Sequence, residues 1–195
     1  GPKQLKQSKR NLLFINQKDG TFKESAKEWG VDDGGNATCA TFFDYDNDGD
    51  LDYIVGNKGN NSFIQAKVGS PTKVFWADFD GNGRQDIAMS YHYGGSDYPL
   101  FTMDEMGKAY PFFINKKFTT YNDFAGKTME EIFGADVLKQ NSLTANMFSS
   151  FIAVNNGGKF SFTEMPMWAQ AGPLFGITNF DVDGNGYEDI LCTGN

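Results

Sequence analysis

Three nine-residue segments of this sequence set oxygen-bearing side chains at alternate positions around a glycine. They are Asp44-Tyr45-Asp46-Asn47-Asp48-Gly49-Asp50-Leu51-Asp52, Asp78-Phe79-Asp80-Gly81-Asn82-Gly83-Arg84-Gln85-Asp86 and Asp181-Val182-Asp183-Gly184-Asn185-Gly186-Tyr187-Glu188-Asp189. Each obeys D-x-D-x-[DN]-G-x-x-D, and five fixed positions repeated three times are not an accident of composition. In a tight loop the first, third and fifth residues can turn inward, the glycine permits the sharp turn, and the ninth-position aspartate closes the cage. The seventh residue offers its backbone carbonyl, so Asp50, Arg84 and Tyr187 can differ freely. An all-oxygen set of this kind suits a hard divalent cation and disfavours zinc or copper. The expected ion is Ca²⁺, at about three sites. Its expected ligands are Asp44, Asp46, Asp48, Asp50 and Asp52; Asp78, Asp80, Asn82, Arg84 and Asp86; and Asp181, Asp183, Asn185, Tyr187 and Asp189. The first loop crowds aspartates that repel one another without a cation. An EF-hand is excluded, because the twelfth position holds Val55, Met89 and Cys192 where that loop needs glutamate.

The elements that must carry these loops read as strands. Thr41-Phe42-Phe43 and Lys73-Val74-Phe75-Trp76 enter loops, while Tyr53-Ile54-Val55, Ile87-Ala88-Met89 and Ile190-Leu191-Cys192 leave them. All are short β-branched or aromatic runs bounded by glycine and asparagine. A second repeat lies upstream: Leu13-Phe14-Ile15-Asn16 with Gly20-Thr21-Phe22 parallels Ile152-Ala153-Val154-Asn155 with Gly158-Lys159-Phe160, and Trp29 and Trp168 follow at similar distances, repeat-equivalent positions at which both are expected in the core. The repeating unit is therefore two strands, a connection, a strand, the acidic loop and another strand. The fold class expected is all-β, a partial β-propeller whose blades carry calcium loops. Residues 94–146 break the pattern. There Phe124, Met129, Ile132, Phe133, Val137 and Leu138 approach helical spacing, and Thr128 with Glu131 has the spacing of a capping box, although Gly126 and Gly134 weaken the helix. This stretch is expected to be a helical insertion inside a propeller segment spanning 11–195.

Composition narrows the function. Twenty-five acidic against 17 basic residues give a net charge of −8, which repels phosphate backbones and argues against nucleic acid as a partner. Three calcium ions would offset six of those charges. No apolar run approaches the roughly 20 residues of a membrane span. Two cysteines are too few for a disulfide framework or a four-cysteine zinc site, and Cys39 and Cys192 are expected as strand residues rather than a disulfide. Gly1-Pro2 has the look of a cleaved-tag remnant, so residues 1–10 are set aside as scar and tail.

The aligned acidic loops between short strands resemble the FG-GAP/VCBS repeats of calcium-binding β-propellers, the architecture also found in integrin α-subunit heads. Asp19-Gly20-Thr21-Phe22 and Phe43 through Asp52 are similar to bacterial exported VCBS-repeat proteins, as is the insertion with Tyr98-Pro99, Pro111-Phe112 and Met129 to Phe133. Phe175-Gly176 keeps an FG, but no Gly-Ala-Pro follows. The resemblance implies calcium at the positions above and no catalytic residues. It also implies blade phasing, with residues 11–28 as the outer strands of one blade and 174–193 as the inner strands of another. A whole propeller needs more chain than this, so the remaining blades belong to a longer chain or a second copy.

An enzyme reading finds little. His92 is the single histidine and sits between two tyrosines, as a packed or surface residue would. Asp104/Glu105 and Glu130/Glu131 fall in the expected helices, where neighbours point apart. No nucleophile elbow or phosphate-cradling loop is present. The expected protein is thus a non-catalytic, extracellular, cell-surface or periplasmic propeller segment mediating recognition or adhesion of a protein or glycan. One alternative is an accessory propeller of a polysaccharide-degrading or lyase enzyme. Another is a thrombospondin-type calcium array, which strand flanks and cysteines that do not recur with the repeat disfavour.

Overall fold

A computed structural model describes residues 10–32 and 37–194; the tag remnant and the tail to residue 9 lie outside the described residues. The strands in chain order are β1 (Phe14–Asn16), β2 (Phe22–Glu24), β3 (Cys39–Phe43), β4 (Asp52–Gly56), β5 (Thr72–Ala77), β6 (Asp86–Tyr93), β7 (Ser96–Pro99), β8 (Ser142–Ala145), β9 (Phe151–Asn155), β10 (Phe160–Glu164), β11 (Leu174–Phe180) and β12 (Asp189–Gly194). The helices are α1 (Ala26–Trp29), α2 (Met103–Ala109), α3 (Pro111–Lys117), α4 (Tyr121–Phe124), α5 (Met129–Phe133) and α6 (Ala135–Leu138). All named strand pairs are antiparallel. The chain divides into two compact units, whose described parts are residues 64–146 and residues 10–32, 37–63 and 147–194.

The unit formed by both ends of the chain is built on the sheet β10-β9-β4-β3, accompanied by the hairpins β1–β2 and β11–β12. Its central strand β4 is buried along its whole length. That is why Tyr53-Ile54-Val55 is a continuous apolar run rather than an alternating one. Tyr53 and Val55 pack with Phe151 and Ala153 on one face, joined by Leu13 and Trp29. Ile54 packs with Phe43, Ile152, Met165 and Leu174 on the other, joined by Ile177 and Ile190. Cys39 and Cys192 are free, half-buried thiols beside this second cluster, as expected of strand residues.

The sheet differs from the sequence phasing in one respect. β3–β4 is completed not by the next stretch of chain but by β9–β10, after 64–146 has looped out. The reason lies in the chain after Gly56: Asn57, Gly59, Asn60, Asn61 and Ser62 provide no strand-forming run, and the chain there is irregular, with bends at Lys58 and from Asn60 to Ser62. Departure and return lie side by side. Asn57 N–H donates to Ser150 Oγ at 3.0 Å, and Gly59 N–H donates to the Phe148 carbonyl at 2.7 Å. Gly59, at φ +79°, admits no side chain, since a Cβ would stand 2.6 Å from the Gln170 carbonyl oxygen. Trp168 also departs from expectation. Whereas Trp29 packs against Phe160 at 5.8 Å, Trp168 lies in a 3-10 turn and is 84% exposed, so the two tryptophans do not share a core role.

The unit 64–146 has its own sheet, β7-β6-β5-β8, and the segment 94–146 is only its later part. β8 returns to pair with β5, so the second acidic loop and the helices belong to one body. Phe75, Ala77 and Ala88 alternate onto the covered face and meet Met106, Ile114, Met129 and Ile132. The helical spacing after Asp123 becomes three short helices rather than one. Gly126 (φ +72°) and Gly134 (φ +90°) take left-handed conformations that end each turn. The capping box is present, with Thr128 Oγ1 accepting from Glu131 N–H at 3.2 Å and Glu131 from Thr128 N–H at 2.8 Å. Of the aromatics in this unit, Tyr110, Phe118, Phe124 and Phe133 are core and Phe112 is exposed.

Candidate metal sites

Each acidic loop joins two adjacent antiparallel strands: β3 to β4, β5 to β6 and β11 to β12. All three are closed by the same hydrogen bonds. The first-position carboxylate caps the turn with both oxygens. Asp44 Oδ1 and Oδ2 accept from Asp48 N–H (3.1 Å) and Gly49 N–H (3.0 Å). Asp78 does so from Asn82 (3.0 Å) and Gly83 (2.8 Å), and Asp181 from Asn185 (3.1 Å) and Gly186 (2.9 Å). The fifth residue accepts from the seventh: Asp48 from Asp50 at 3.0 Å, Asn82 from Arg84 at 2.8 Å and Asn185 from Tyr187 at 2.8 Å. The ninth accepts from the second: Asp52 from Tyr45 at 2.7 Å, Asp86 from Phe79 at 3.0 Å and Asp189 from Val182 at 2.9 Å. A carboxylate oxygen that accepts one N–H keeps a second lone pair for a cation.

These frames bring carboxylates together. Asp44, Asp46 and Asp48 form one group, Asp78, Asp80 and Asp86 a second, and Asp181, Asp183 and Asp189 a third, each with one oxygen per residue within 4.8 Å of the others. Each group could hold a metal ion. Asp52 stands outside the first group. It is fully buried, and its Oδ1 accepts from the Asn155 N–H of β9 at 2.7 Å. Asp50 also lies outside, and its buried Oδ1 has no hydrogen-bond donor among the described residues. The clustering has an electrostatic cost. Desolvation, then the charges of Asp48 and Asp52, pushes the Asp46 carboxyl above its ordinary value. Desolvation likewise raises Asp86, with Asp80 and Asp78 adding to it. Asp181 is lowered instead, chiefly by the Gly186 N–H. A divalent ion would relieve the first two.

Sequence reasoning missed two features. The fourth loop position is left-handed throughout, with Asn47 at φ 61°, Gly81 at 76° and Gly184 at 74°. The signal was present, because asparagine and glycine are the residues that tolerate this conformation. The bond from Asn155 to Asp52 was not legible, since its partners are far apart in sequence. His92 lies within the 64–146 unit, its Nδ1 2.8 Å from Asp97 Oδ1, and Lys73 Nζ pairs with the other oxygen at 2.7 Å. Of the paired acids, Glu105 caps α2 and Asp104 accepts from the Tyr121 hydroxyl.

Repeated antiparallel hairpins, each bent around an acidic loop of one design, define a β-repeat protein. Residues 6–55, a span that takes in β1 to β3 and most of β4, match the family model of the FG-GAP-like repeat, which supports a repeat of that kind in this part of the chain. No curated protein matches the chain. Among the described residues no helix is long and apolar enough to cross a membrane.

Proposed function

We propose that the chain is a non-catalytic, calcium-binding β-propeller segment of an exported or cell-surface protein, and that it serves recognition or adhesion of a protein or glycan ligand. The observation that carries this reading is the common loop frame: three loops between paired strands, each converging three carboxylates within 4.8 Å. In this reading the sheet β10-β9-β4-β3 is one blade, β1–β2 the outer half of another, and β11–β12 the inner half of a third. The flanking paired strands support it over a thrombospondin-type array. Calcium is favoured over magnesium because it accepts many oxygens in irregular geometry, and its abundance outside cells suits modest-affinity sites. Its role is to fix the loops that organise a binding face.

The test is thermal unfolding of metal-stripped protein with and without millimolar Ca²⁺. Binding to the folded state alone stabilises by about 2.7 kcal/mol per site when calcium is a hundredfold above Kd. The shift should shrink with each of Asp46→Ala, Asp80→Ala and Asp183→Ala, which remove cluster carboxylates but leave the first- and ninth-position loop bonds in place. Absence of any shift would remove the support for calcium.

A further inference from the structure

Inside the unit 64–146, one stretch of strand is left half-paired beside a pocket. β6 runs from Asp86 to Tyr93, but β7 pairs only with Ser90 to Tyr93. His92 N–H donates to the Pro71 carbonyl on the β5 side, so by alternation Ile87 and Met89 turn their backbone groups to the other edge. Both carbonyls there are taken: Ile87 accepts from the Tyr110 hydroxyl and Met89 from the Leu100 N–H at 2.9 Å. The N–H groups of Ile87 and Met89 have no acceptor among the described residues. A pocket of about 350 Å³ opens on this stretch, walled by Phe101, Met106, Ala109 and Tyr110. Met106 and Tyr110 are core residues, whereas Ile87 is 58% and Phe101 37% exposed, so the pocket has fixed walls and an open mouth. Glu105 is its one charged lining residue, and its helical neighbour Lys108 does not line it. Hydrogen bonds from the Thr102 N–H and hydroxyl to Glu105 Oε2 hold that carboxyl below its ordinary range, and Oε1 has no donor among the described residues.

From this arrangement we infer that the pocket takes a large apolar side chain from an extended peptide of a partner protein, with the peptide's carbonyls accepting from the Ile87 and Met89 N–H groups and a lysine or arginine two residues away meeting Glu105. Each part of the occupant answers a feature of the site. The edge offers donors only, so the partner must bring acceptors. The two donors are two residues apart on a strand, about 6.5–7 Å, which is the spacing of alternate carbonyls in an extended chain. A helix cannot supply them, because its carbonyls are used internally. The apolar walls call for an apolar side chain, and the volume, near the small end of the roughly 300–1,000 Å³ of ligand pockets, suits one residue. Side chains two apart in an extended chain share a face, which puts the basic residue on the side of Glu105. Main-chain bonds for affinity with a side-chain pocket for specificity is the economy of strand-edge recognition. The inference rests on the reading of the chain as a recognition module but not on calcium, since no acidic-loop carboxylate lines the pocket.

The test is a titration of the whole chain, in calcium and in EDTA, with an end-capped pentapeptide carrying phenylalanine second and lysine fourth among glycines. Amide NMR reads the site directly: the Ile87 and Met89 N–H signals should move downfield and saturate as they gain acceptors. Ala109→Trp fills the pocket from an exposed helix position and should abolish the response. Replacing the peptide's lysine by glutamine should weaken binding about two- to fivefold, the range of an exposed ion pair. Glu105→Gln keeps a residue able to cap α2 and should erase that preference. A peptide that binds equally well to the Ala109→Trp chain would leave recognition standing and remove this site. No saturable shift at millimolar peptide, shifts confined to other amides, or equal binding by phenylalanine amide alone would also overturn the inference, whatever calcium does to the melting temperature.

Discussion

Asp52 separates the structural use of the acidic loops from their use as metal ligands. It is fully buried, and both its oxygens accept backbone N–H groups at 2.7 Å, one from Tyr45 in its own loop and one from Asn155 in β9. A hydrogen bond to a charged group is worth about 1.5–3 kcal/mol, so Asp52→Ala should cost roughly 3–5 kcal/mol through two stranded donors. For a chain of this size each kcal/mol moves the melting temperature by about 2–4 °C, giving a fall of roughly 6–20 °C. Asp189→Ala removes one such bond at an exposed position and should cost about 1 kcal/mol or less. Differential scanning calorimetry in EDTA reads both without interference from bound metal. The reasoning fails if the two variants melt together in EDTA, or if the loss at Asp52 appears only when calcium is present.

Two further outcomes can be read from individual contacts. Glu24, bonded to Arg10 at 2.8 Å, is held down to about 2 from 4.5, mainly by that side-chain hydrogen bond. Its contribution to stability is therefore complete above the ordinary carboxylate range and lost as pH falls from 4.5 towards about 2. Glu24→Gln should flatten melting temperature against pH in that window, and an unchanged acid slope would count against the pairing. Thr128→Ala removes the side-chain cap of α5, at a cost of about 1 kcal/mol. Hydrogen exchange should accelerate in α5 and α6 while amides of β4 and β9 keep their protection; uniform acceleration would mean the two units do not open separately.

Much of this arrangement was legible because it is local. The acidic loops, their flanking strands, the hairpin repeat and the Thr128–Glu131 capping box each involve residues within a short stretch, where turn chemistry and strand composition speak directly. What escaped depends on partners distant in sequence. Nothing in Asn57 to Ser62 announces that the strands completing the sheet lie beyond residue 146, and the boundary drawn at 94 followed the change from strand-like to helix-like spacing. β8, paired with β5 from Thr72↔Ala145 to Phe75↔Ser142, ties that stretch to the strands before it. Helical periodicity ran on through Gly126 and Gly134, yet left-handed backbone at both divides it into single turns. Trp168 was misjudged for a related reason: its repeat position matches Trp29, but only Trp29 has an aromatic neighbour at Phe160.

The ninth loop position shows how one residue type comes to serve two ends. In all three loops its carboxylate accepts the second residue's N–H, so the aspartate is required for the turn before any metal is considered. Where a neighbouring strand lies alongside, as β9 does beside β4, the remaining oxygen ties that strand in and the residue is buried away from the metal group. Where no such strand reaches the ninth residue, the aspartate joins the group instead: β7 pairs only with Ser90 to Tyr93 of β6, short of Asp86, and β12 at Asp189 pairs with β11 alone among the described residues. Conservation of the motif letter thus conceals a division of labour set by the sheet. The prediction is directional: completing the β12 edge should draw Asp189 towards the role of Asp52. The third loop's metal affinity would then depend on whether its strand is paired.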